Sequence, residues 1–362
     1  MAVNFYNYLI SLYEEREARK IQRRRIRDVC DPFDLGDREF QSLWRISKPM
    51  AHYIVGRLSE DLEPQTSDGL PVHLKVLCSI QFLANGGYQR QVGQDHTMCQ
   101  AQTTVSSFLG QFLTSIYRRL LAEWVHFPGS EPSRRSVASE FEAKFNVPGI
   151  VGLLDCTHIK IFPPSGPQGA HYKNRRKDAH TINVQLICDS NCRILSVNAR
   201  YPGRVHDAFI WHHSSIQEEM KRLHDRRIGN YFLLGDSGYP LEPWLMTPIL
   251  HAEPNSPQQR YTDWHCQVRN AVERTNGYLK GSLRCLGIDR VLHYSPEKAS
   301  EIIYACCIIY NLMKHFGVPL EEDVIAGNAE QYGDNEPGVE EPRHLLRFSR
   351  AKREQLIANY FN

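Results

Sequence analysis

Three acidic side chains stand where the sequence predicts a sheet edge and the helix beside it. Asp155 follows the apolar run GIVGLL, and Asp236 follows the apolar run YFLL with one glycine between them. Glu273 lies in VRNAVERTNGYLK, which has the apolar spacing of a packed helix. Because α/β proteins place ligand groups directly after buried strands, two neighbouring strands would bring both aspartates to one edge of the sheet.

The predicted convergence of three carboxylates indicates a site for a divalent cation. Charged groups beside buried strands cost several kcal/mol unless they are paired or bound to a cation. Oxygen ligands without Cys or His favour Mg²⁺ or Mn²⁺ over zinc. Taken singly, the Asp236-Ser-Gly sequence is also typical of a turn, and Glu273 could pair with Arg269 four residues earlier. The order strand, strand, helix favours the joint interpretation.

Basic residues near these acids are candidates for contact with a phosphate backbone. Arg269 and Lys280 share a helix face with Glu273, and internal ion pairing is the alternative for both. A basic tetrad lies between the first two predicted strands and would suit a solvated turn equally well: Lys173, Arg175, Arg176 and Lys177.

Residues 31–125 have helical periodicity throughout. The segment PVHLKVLCSIQFLANGG stops at Gly86-Gly87, a short segment follows, and a long amphipathic helix completes the series. This order is typical of a helix-turn-helix DNA-binding domain, although an ordinary three-helix bundle has the same pattern. The last helix would open with short polar side chains suited to base edges and phosphates: Gln100, Gln102, Thr103 and Thr104.

Residues 149–316 change to short apolar runs that alternate with helical segments. Three predicted strands, a helix, a fourth strand and further helices indicate an α/β fold with a mixed sheet flanked by helices. The remaining predicted segments are a basic N-terminal helical arm (1–30), a linker (126–148), an acidic disordered tract (317–342) and a C-terminal helix (343–362).

The charge distribution favours a nucleic-acid partner. The chain has 43 basic and 41 acidic residues, but eight of the acids lie within 320–342, where no Lys or Arg occurs. The remainder of the chain therefore carries 43 basic and 33 acidic residues, a net charge of +10. Ten cysteines without a CxxC pair indicate free thiols in a reducing compartment rather than a zinc module. With no apolar run of membrane-spanning length and no cleavable signal, we expect a nuclear, and also cytoplasmic, protein with no membrane association.

Several motifs occur in one order along the chain: VGLLDCTHIKI, YPG followed by HD at 206–207, LLGDSGYP, WLMTP, AVERTNGYLK with LRCL, and YSPEKASEIIYACCIIYNL. Together they resemble the PIF/Harbinger transposase superfamily and look most like the animal Harbinger transposase-derived nucleases. The resemblance extends from about Asp31 through Leu312. It implies a ribonuclease-H-like catalytic domain with an Asp-Asp-Glu triad, in which Asp155, Asp236 and Glu273 match the three acids.

The resemblance also implies an activity, cofactors and partners. The expected activity is hydrolysis of phosphodiester bonds in duplex DNA by a nuclease that uses two Mg²⁺ or Mn²⁺ ions. A Myb-like DNA-binding partner protein and a homodimer are further expectations. The alternative is a catalytically silent domesticated protein that binds DNA and acts in regulation with the Myb-like partner. A ribonuclease is a third interpretation, which the helix-turn-helix prediction disfavours.

Overall fold

A computed structural model describes residues 2–27, 29, 31–65, 69–95, 98–167, 169–174, 178–322 and 343–362. The chain divides into two compact units, Met1–Arg119 with His315–Val318, and Leu120–Lys314 with Pro319–Asn362. Among the described residues, no helix is both long enough and apolar enough to cross a membrane.

The first unit is helical, as the periodicity of residues 31–125 predicts. Its described residues contain no strand, and its helices are α1 (Ala2–Arg27), α2 (Asp37–Trp44), α3 (Lys48–Leu62), α4 (Val72–Asn85), α5 (Gln89–Gln94) and α6 (Gln102–Trp124), the last of which runs on into the second unit. The predicted stop of α4 is confirmed at Gly86, whose φ of 63° is a left-handed conformation that glycine adopts without strain. Phe40, Trp44 and Phe112 are fully buried in the core of this unit.

The second unit alternates strands and helices. Its elements are α7 (Glu131–Phe145), β1 (Ile150–Lys160), α8 (Gly169–Tyr172), β2 (Lys173–Asn174), β3 (Ala179–Cys188), β4 (Ile194–Pro202), α9 (Asp207–His212), α10 (Ser215–Asp225), β5 (Phe232–Leu234), β6 (Leu245–Met246), α11 (Pro257–Ser282), α12 (Pro296–His315) and α13 (Arg343–Tyr360).

The sheet of this unit is mixed. Strand β3 pairs antiparallel with β1, β2 and β4, whereas β5 pairs parallel with both β1 and β6. One apolar cluster joins Leu153 and Phe232 of the sheet to Val268 and Val272 of α11. A second cluster joins Val151 and Leu154 to α9 and α10. These two clusters confirm the predicted α/β fold, in which helices flank a mixed sheet.

The predicted linker at 126–148 instead contains helix α7. The Pro, Gly and Ser residues that suggested a linker mark the start of this helix: the Ser130 side chain accepts a hydrogen bond from the Ser133 backbone N–H and Pro132 occupies the first turn. Phe141 of α7 is fully buried in the core that also contains Leu153. The helix is therefore part of the second unit.

Three other predicted segments can be compared with the structure. Helix α1 covers most of the predicted basic arm, and α13 covers most of the predicted C-terminal helix. Most of the predicted acidic disordered tract, residues 323–342, lies outside the described residues.

Candidate active site

Asp155 lies in the central strand of the sheet and faces α11. The residues before it, from Ile150 to Leu154, are buried and fix the strand between β3 and β5. One carboxylate oxygen of Asp155, Oδ1, accepts a hydrogen bond from Nη2 of Arg269 at 3.1 Å. The other oxygen, Oδ2, accepts from Nδ2 of Asn276 at 2.8 Å. Both oxygens of this carboxylate are therefore held by side chains of α11.

Asp236 leaves the sheet at the same level as Asp155. Leu234 at the end of β5 is paired in parallel register with Leu153 of β1, so each aspartate comes two residues after the same rung of the sheet. The Asp236 carboxylate accepts a hydrogen bond from the Gly238 backbone N–H at 2.8 Å, which orders the turn after the strand. This register is the arrangement that the sequence predicts for the two aspartates.

Glu273 comes from α11, which begins after the N-cap residue Ser256 and packs through its apolar face on the sheet. The Glu273 side chain is 56% exposed, and its Oε1 lies 3.8 Å from Nη1 of Arg269. Arg269, by contrast, is only 9% exposed. Its guanidinium group therefore joins the acid of the central strand to the acid of the helix.

The charge of Arg269 is shared among three carboxylates. Burial opposes the charged form, but Asp155, Asp236 and Glu273 together raise the pKa of Arg269 above its ordinary value. With one guanidinium and three carboxylates, these four side chains have a surplus of two negative charges. Such a surplus favours the binding of a cation.

The side chains Cys156 and Tyr239 lie beside these acids without supplying a nucleophile. The Tyr239 hydroxyl donates a hydrogen bond to Sγ of Cys156 at 3.2 Å. Burial is the main cause that raises the pKa of both groups, and the nearby aspartates raise it further. Because a protonated thiol is a poor nucleophile, the arrangement disfavours covalent catalysis at Cys156.

Asn276 is a functional candidate that the sequence reasoning missed. It lies seven residues after Arg269 on α11, which places both side chains on one helix face, and this spacing could have identified it. Its Oδ1 atom is buried and has no hydrogen-bond partner among the described residues. The same is true of Nε of Arg269. Polar capacity therefore remains available beside Asp155.

The donor set suits Mg²⁺ or Mn²⁺ in its chemistry, because it consists of carboxylate oxygens with surplus negative charge. In the described part of the chain, however, no group of three or more His, Cys, Asp or Glu side chains is placed so that it could hold a metal ion. The Arg269 guanidinium lies among the acids and supplies positive charge there.

The other predicted site residues have different surroundings. Lys280 donates to Oγ1 of Thr157 at 2.6 Å, and Lys173 forms an exposed ion pair with Asp178 at 2.9 Å. Gln100 precedes α6 and is half-buried, as is Thr104, whereas Gln102 and Thr103 are exposed in the first turn of α6. The remaining members of the basic tetrad, Arg175, Arg176 and Lys177, lie outside the described residues.

Comparisons with known proteins agree with this geometry. Residues 154–311, which include all three acids, match the family of DDE superfamily endonucleases. The cattle and human proteins named "Putative nuclease HARBI1" are each 28% identical to this chain over 353 residues, which cover 95% of both sequences. The Arabidopsis thaliana protein named Antagonist of like heterochromatin protein 1 is 26% identical and covers 86% of this chain and 85% of its own. No solved structure matches. These matches confirm the resemblance stated from the motifs and the ribonuclease-H-like fold that it implies.

Proposed function

We propose that this chain, which carries a DDE superfamily endonuclease domain over residues 154–311, is a divalent-metal-dependent DNA endonuclease. Asp155, Asp236 and Glu273 would be its catalytic acids and metal ligands. The observation that carries the proposal is that the Arg269 guanidinium lies 3.1 Å from Asp155 and 3.8 Å from Glu273, while Asp236 follows the strand that pairs in register beside Asp155. Hydrolysis of phosphodiester bonds is the reaction that such a group of acids supports.

The residues of the site would have separate roles in this reaction. Two divalent ions, when bound, supply an activated water and stabilise the leaving oxygen. Asp155 lies in β1 and Asp236 in the turn that follows β5, so they would fix where the ions bind. Glu273 is exposed on α11, which suits a side chain that holds one ion and orients the attacking water. Asn276 donates to Asp155 and keeps that carboxylate in one orientation.

Duplex DNA is the proposed substrate. The chain outside 320–342 has a net charge of +10, which favours binding to phosphates. The exposed Gln102 and Thr103 at the start of α6, with Gln100 and Thr104 beside them, are the proposed contacts of the first unit. Lys173 and Lys280, with the tetrad's other members, are those of the second, whereas Arg269, which the sequence also offered, is buried against Asp155. A nuclear location, a Myb-like DNA-binding partner protein and a homodimer belong to the same proposal.

The second candidate is a catalytically silent protein that binds DNA with a Myb-like partner. Its support is that both oxygens of Asp155 are already held, by Arg269 and by Asn276. The name of the Arabidopsis relative, which describes antagonism of another protein rather than a reaction, is in line with this candidate. The two candidates differ in whether the acids carry out cleavage.

A nicking assay distinguishes them. The full chain is incubated with supercoiled duplex DNA and Mn²⁺, beside the variant Asp236→Asn and the control Asp263→Asn, which removes an exposed acid of helix α11. We expect nicking by the wild type and the control but not by Asp236→Asn. Equal nicking by all three would contradict the catalytic assignment, whereas salt-sensitive DNA binding without nicking would favour the silent protein.

The acidic segment gives a separate test of DNA binding. Affinity for duplex DNA should fall steeply with added salt, because bound basic residues displace counterions from phosphates. Deletion of residues 320–342 should strengthen non-specific binding if the eight acids compete with DNA for the basic surface. Unchanged affinity after the deletion would show that the segment is a passive spacer.

A further inference from the structure

We propose that Arg269 is an internal counter-ion of the acidic site, which occupies the metal's place beside Asp155 and must leave it before a divalent ion binds. The inference rests on the proposed function, since it assumes that the three acids bind metal. It makes Arg269 a positioning residue that sets metal affinity, in contrast to the phosphate contact expected from the sequence.

The contacts of Arg269 carry the inference. Its two terminal nitrogens reach different acids: Nη2 lies 3.1 Å from Asp155 Oδ1, and Nη1 lies 3.8 Å from Glu273 Oε1. The guanidinium therefore bridges the first and last members of the proposed triad. A divalent ion that used both carboxylates would need to lie in the same place.

The burial of Arg269 indicates that the neighbouring acids compensate its charge. A guanidinium is rarely buried unless carboxylates compensate its charge, and this one is 9% exposed with its Nε lacking a hydrogen-bond partner among the described residues. The acids attract this side chain by its single positive charge. A divalent ion has twice that charge and would therefore be attracted more strongly.

The neighbouring Asn276 explains how Asp155 would stay in position while a divalent ion replaces the Arg269 guanidinium. Its Nδ2 donates to Oδ2 of Asp155, whereas Arg269 donates to Oδ1. Loss of the guanidinium would leave the hydrogen bond from Asn276 in place. The two α11 side chains thus have separate roles, one fixed and one exchangeable.

The inference predicts an effect of opposite sign to that of a structural arginine. If Arg269 only supports the site, its removal disorders the acids and weakens metal binding. If Arg269 competes with the metal, its removal strengthens binding because a positive charge and a rival partner disappear together. Metal affinity therefore separates the two roles without any measurement of cleavage.

The experiment measures the dissociation constant of Mn²⁺ for the full chain without DNA, by the electron paramagnetic resonance signal of free Mn²⁺. The variants are R269Q, R269K and the control R274Q, which removes an exposed arginine from the same helix. We expect R269Q to bind Mn²⁺ on the order of tenfold more tightly than the wild type. R269K keeps the positive charge but not the planar guanidinium with its paired donors, so it should bind Mn²⁺ roughly threefold more tightly than the wild type. R274Q should match the wild type.

Each outcome bears on the inference. Equal or weaker Mn²⁺ binding by R269Q, with Mn²⁺ still bound by the wild type, would overturn this inference and leave the proposed function standing. Binding by R269Q but not by the wild type would support it. Absence of Mn²⁺ binding in every variant would overturn both proposals. If R269Q fails to fold, R269K decides: binding no tighter than that of the wild type counts against the inference.

Discussion

Each unit of the molecule contains a cluster of arginines and acids, and the two clusters have different charge balances. In the helical unit, Asp61 of α3 accepts hydrogen bonds from Arg118 and Arg119 of α6, and Arg119 also pairs with Glu60 at 2.9 Å. Two carboxylates meet two guanidinium groups there. In the second unit, one guanidinium pairs with the carboxylates of Asp155 and Glu273, and the charge of Asp236 also favours its charged form.

The difference shows how a structural ion pair can be distinguished from a functional one. The Asp61 cluster is neutral as a group, and its hydrogen bonds to Arg119 and Arg118 lower the pKa of Asp61 below its ordinary value. Nothing further is needed to stabilise it. The Arg269 cluster keeps surplus negative charge beside the central strand, so an added cation would balance it further. We therefore infer a structural role for the first cluster, and the proposed metal site lies at the second.

The largest expected effect tests the second half of this comparison. The variants Asp155→Asn, Asp236→Asn and Glu273→Gln keep side-chain shape and remove one charge each. Cleavage should fall by about three orders of magnitude, because the group that stabilises the transition state is lost. The metal-free Asp236→Asn protein should fold normally, with a melting temperature equal to or above that of the wild type, which circular dichroism measures.

Thermal melts with and without Mn²⁺ complete that test. Mn²⁺ should raise the melting temperature of the wild type and have little effect on the triple variant, since a ligand that binds only the folded state stabilises it. An equal rise in both proteins would show that the three acids do not form the metal site.

The sequence predicts the backbone of the site better than its contacts. Asp155 and Asp236 could be placed together because each follows a buried apolar run, and the parallel register of β1 and β5 satisfies that expectation. The partner of Arg269 could not be predicted. Local spacing offers Glu273, four residues away, whereas the closer contact is Asp155, 114 residues earlier in the chain.

The wrong prediction of a linker at residues 126–148 has a similar cause. Helix α7 was missed because Pro132 and Ser130 are common both in linkers and at helix starts. What decides between the two is the burial of Phe141 against β1, which depends on residues distant in sequence. Long-range packing is the information that a local pattern lacks.

The next effect concerns Asn276, whose side chain donates a hydrogen bond to Asp155. Asn276→Ala removes a hydrogen bond to a mostly buried carboxylate, so the metal-free protein should lose about 2 kcal/mol of unfolding free energy. The loss should be smaller with saturating Mn²⁺, because the ion also compensates the charge of Asp155. Urea unfolding with and without Mn²⁺ measures both values, and a loss that is identical in the two conditions would separate Asn276 from the metal site.

A smaller effect tests the structural cluster. Asp61→Asn should lower the unfolding free energy by about 1 kcal/mol, a modest value because Arg118 and Arg119 are partly solvated. Cleavage and Mn²⁺ binding should not change. A variant that lost Mn²⁺ binding would show that the two clusters are not separate in function.

The contribution of the Asp61 carboxylate to stability should change with pH in a defined direction. The pKa of Asp61 is lower in the folded chain than its ordinary value of 3.8, so its contribution is present above that value and is lost as the pH falls further. The stability difference between wild type and Asp61→Asn should therefore shrink below about pH 4. Urea unfolding over a pH series measures it, and a constant difference would contradict the assignment of Asp61 as an ionised partner.

The smallest effects come from two exposed acids that differ mainly in their surroundings. Glu60 is 79% exposed and pairs with Arg119, while Glu273 is 56% exposed and lies near Arg269. Each substitution to Gln should change the metal-free unfolding free energy by less than about 0.5 kcal/mol, as is usual for exposed ion pairs. Without metal, the two variants should look alike.

Mn²⁺ should separate this matched pair. Glu60→Gln should gain as much stability from Mn²⁺ as the wild type does, because its cluster is already neutral. Glu273→Gln should gain less, because one of three acids around the ion has lost its charge. The comparison uses urea unfolding of both variants at one saturating Mn²⁺ concentration. An equal gain in both would mean that the surplus of acids around Arg269 does not bind the ion, and the contrast between the two clusters would then lose its functional meaning.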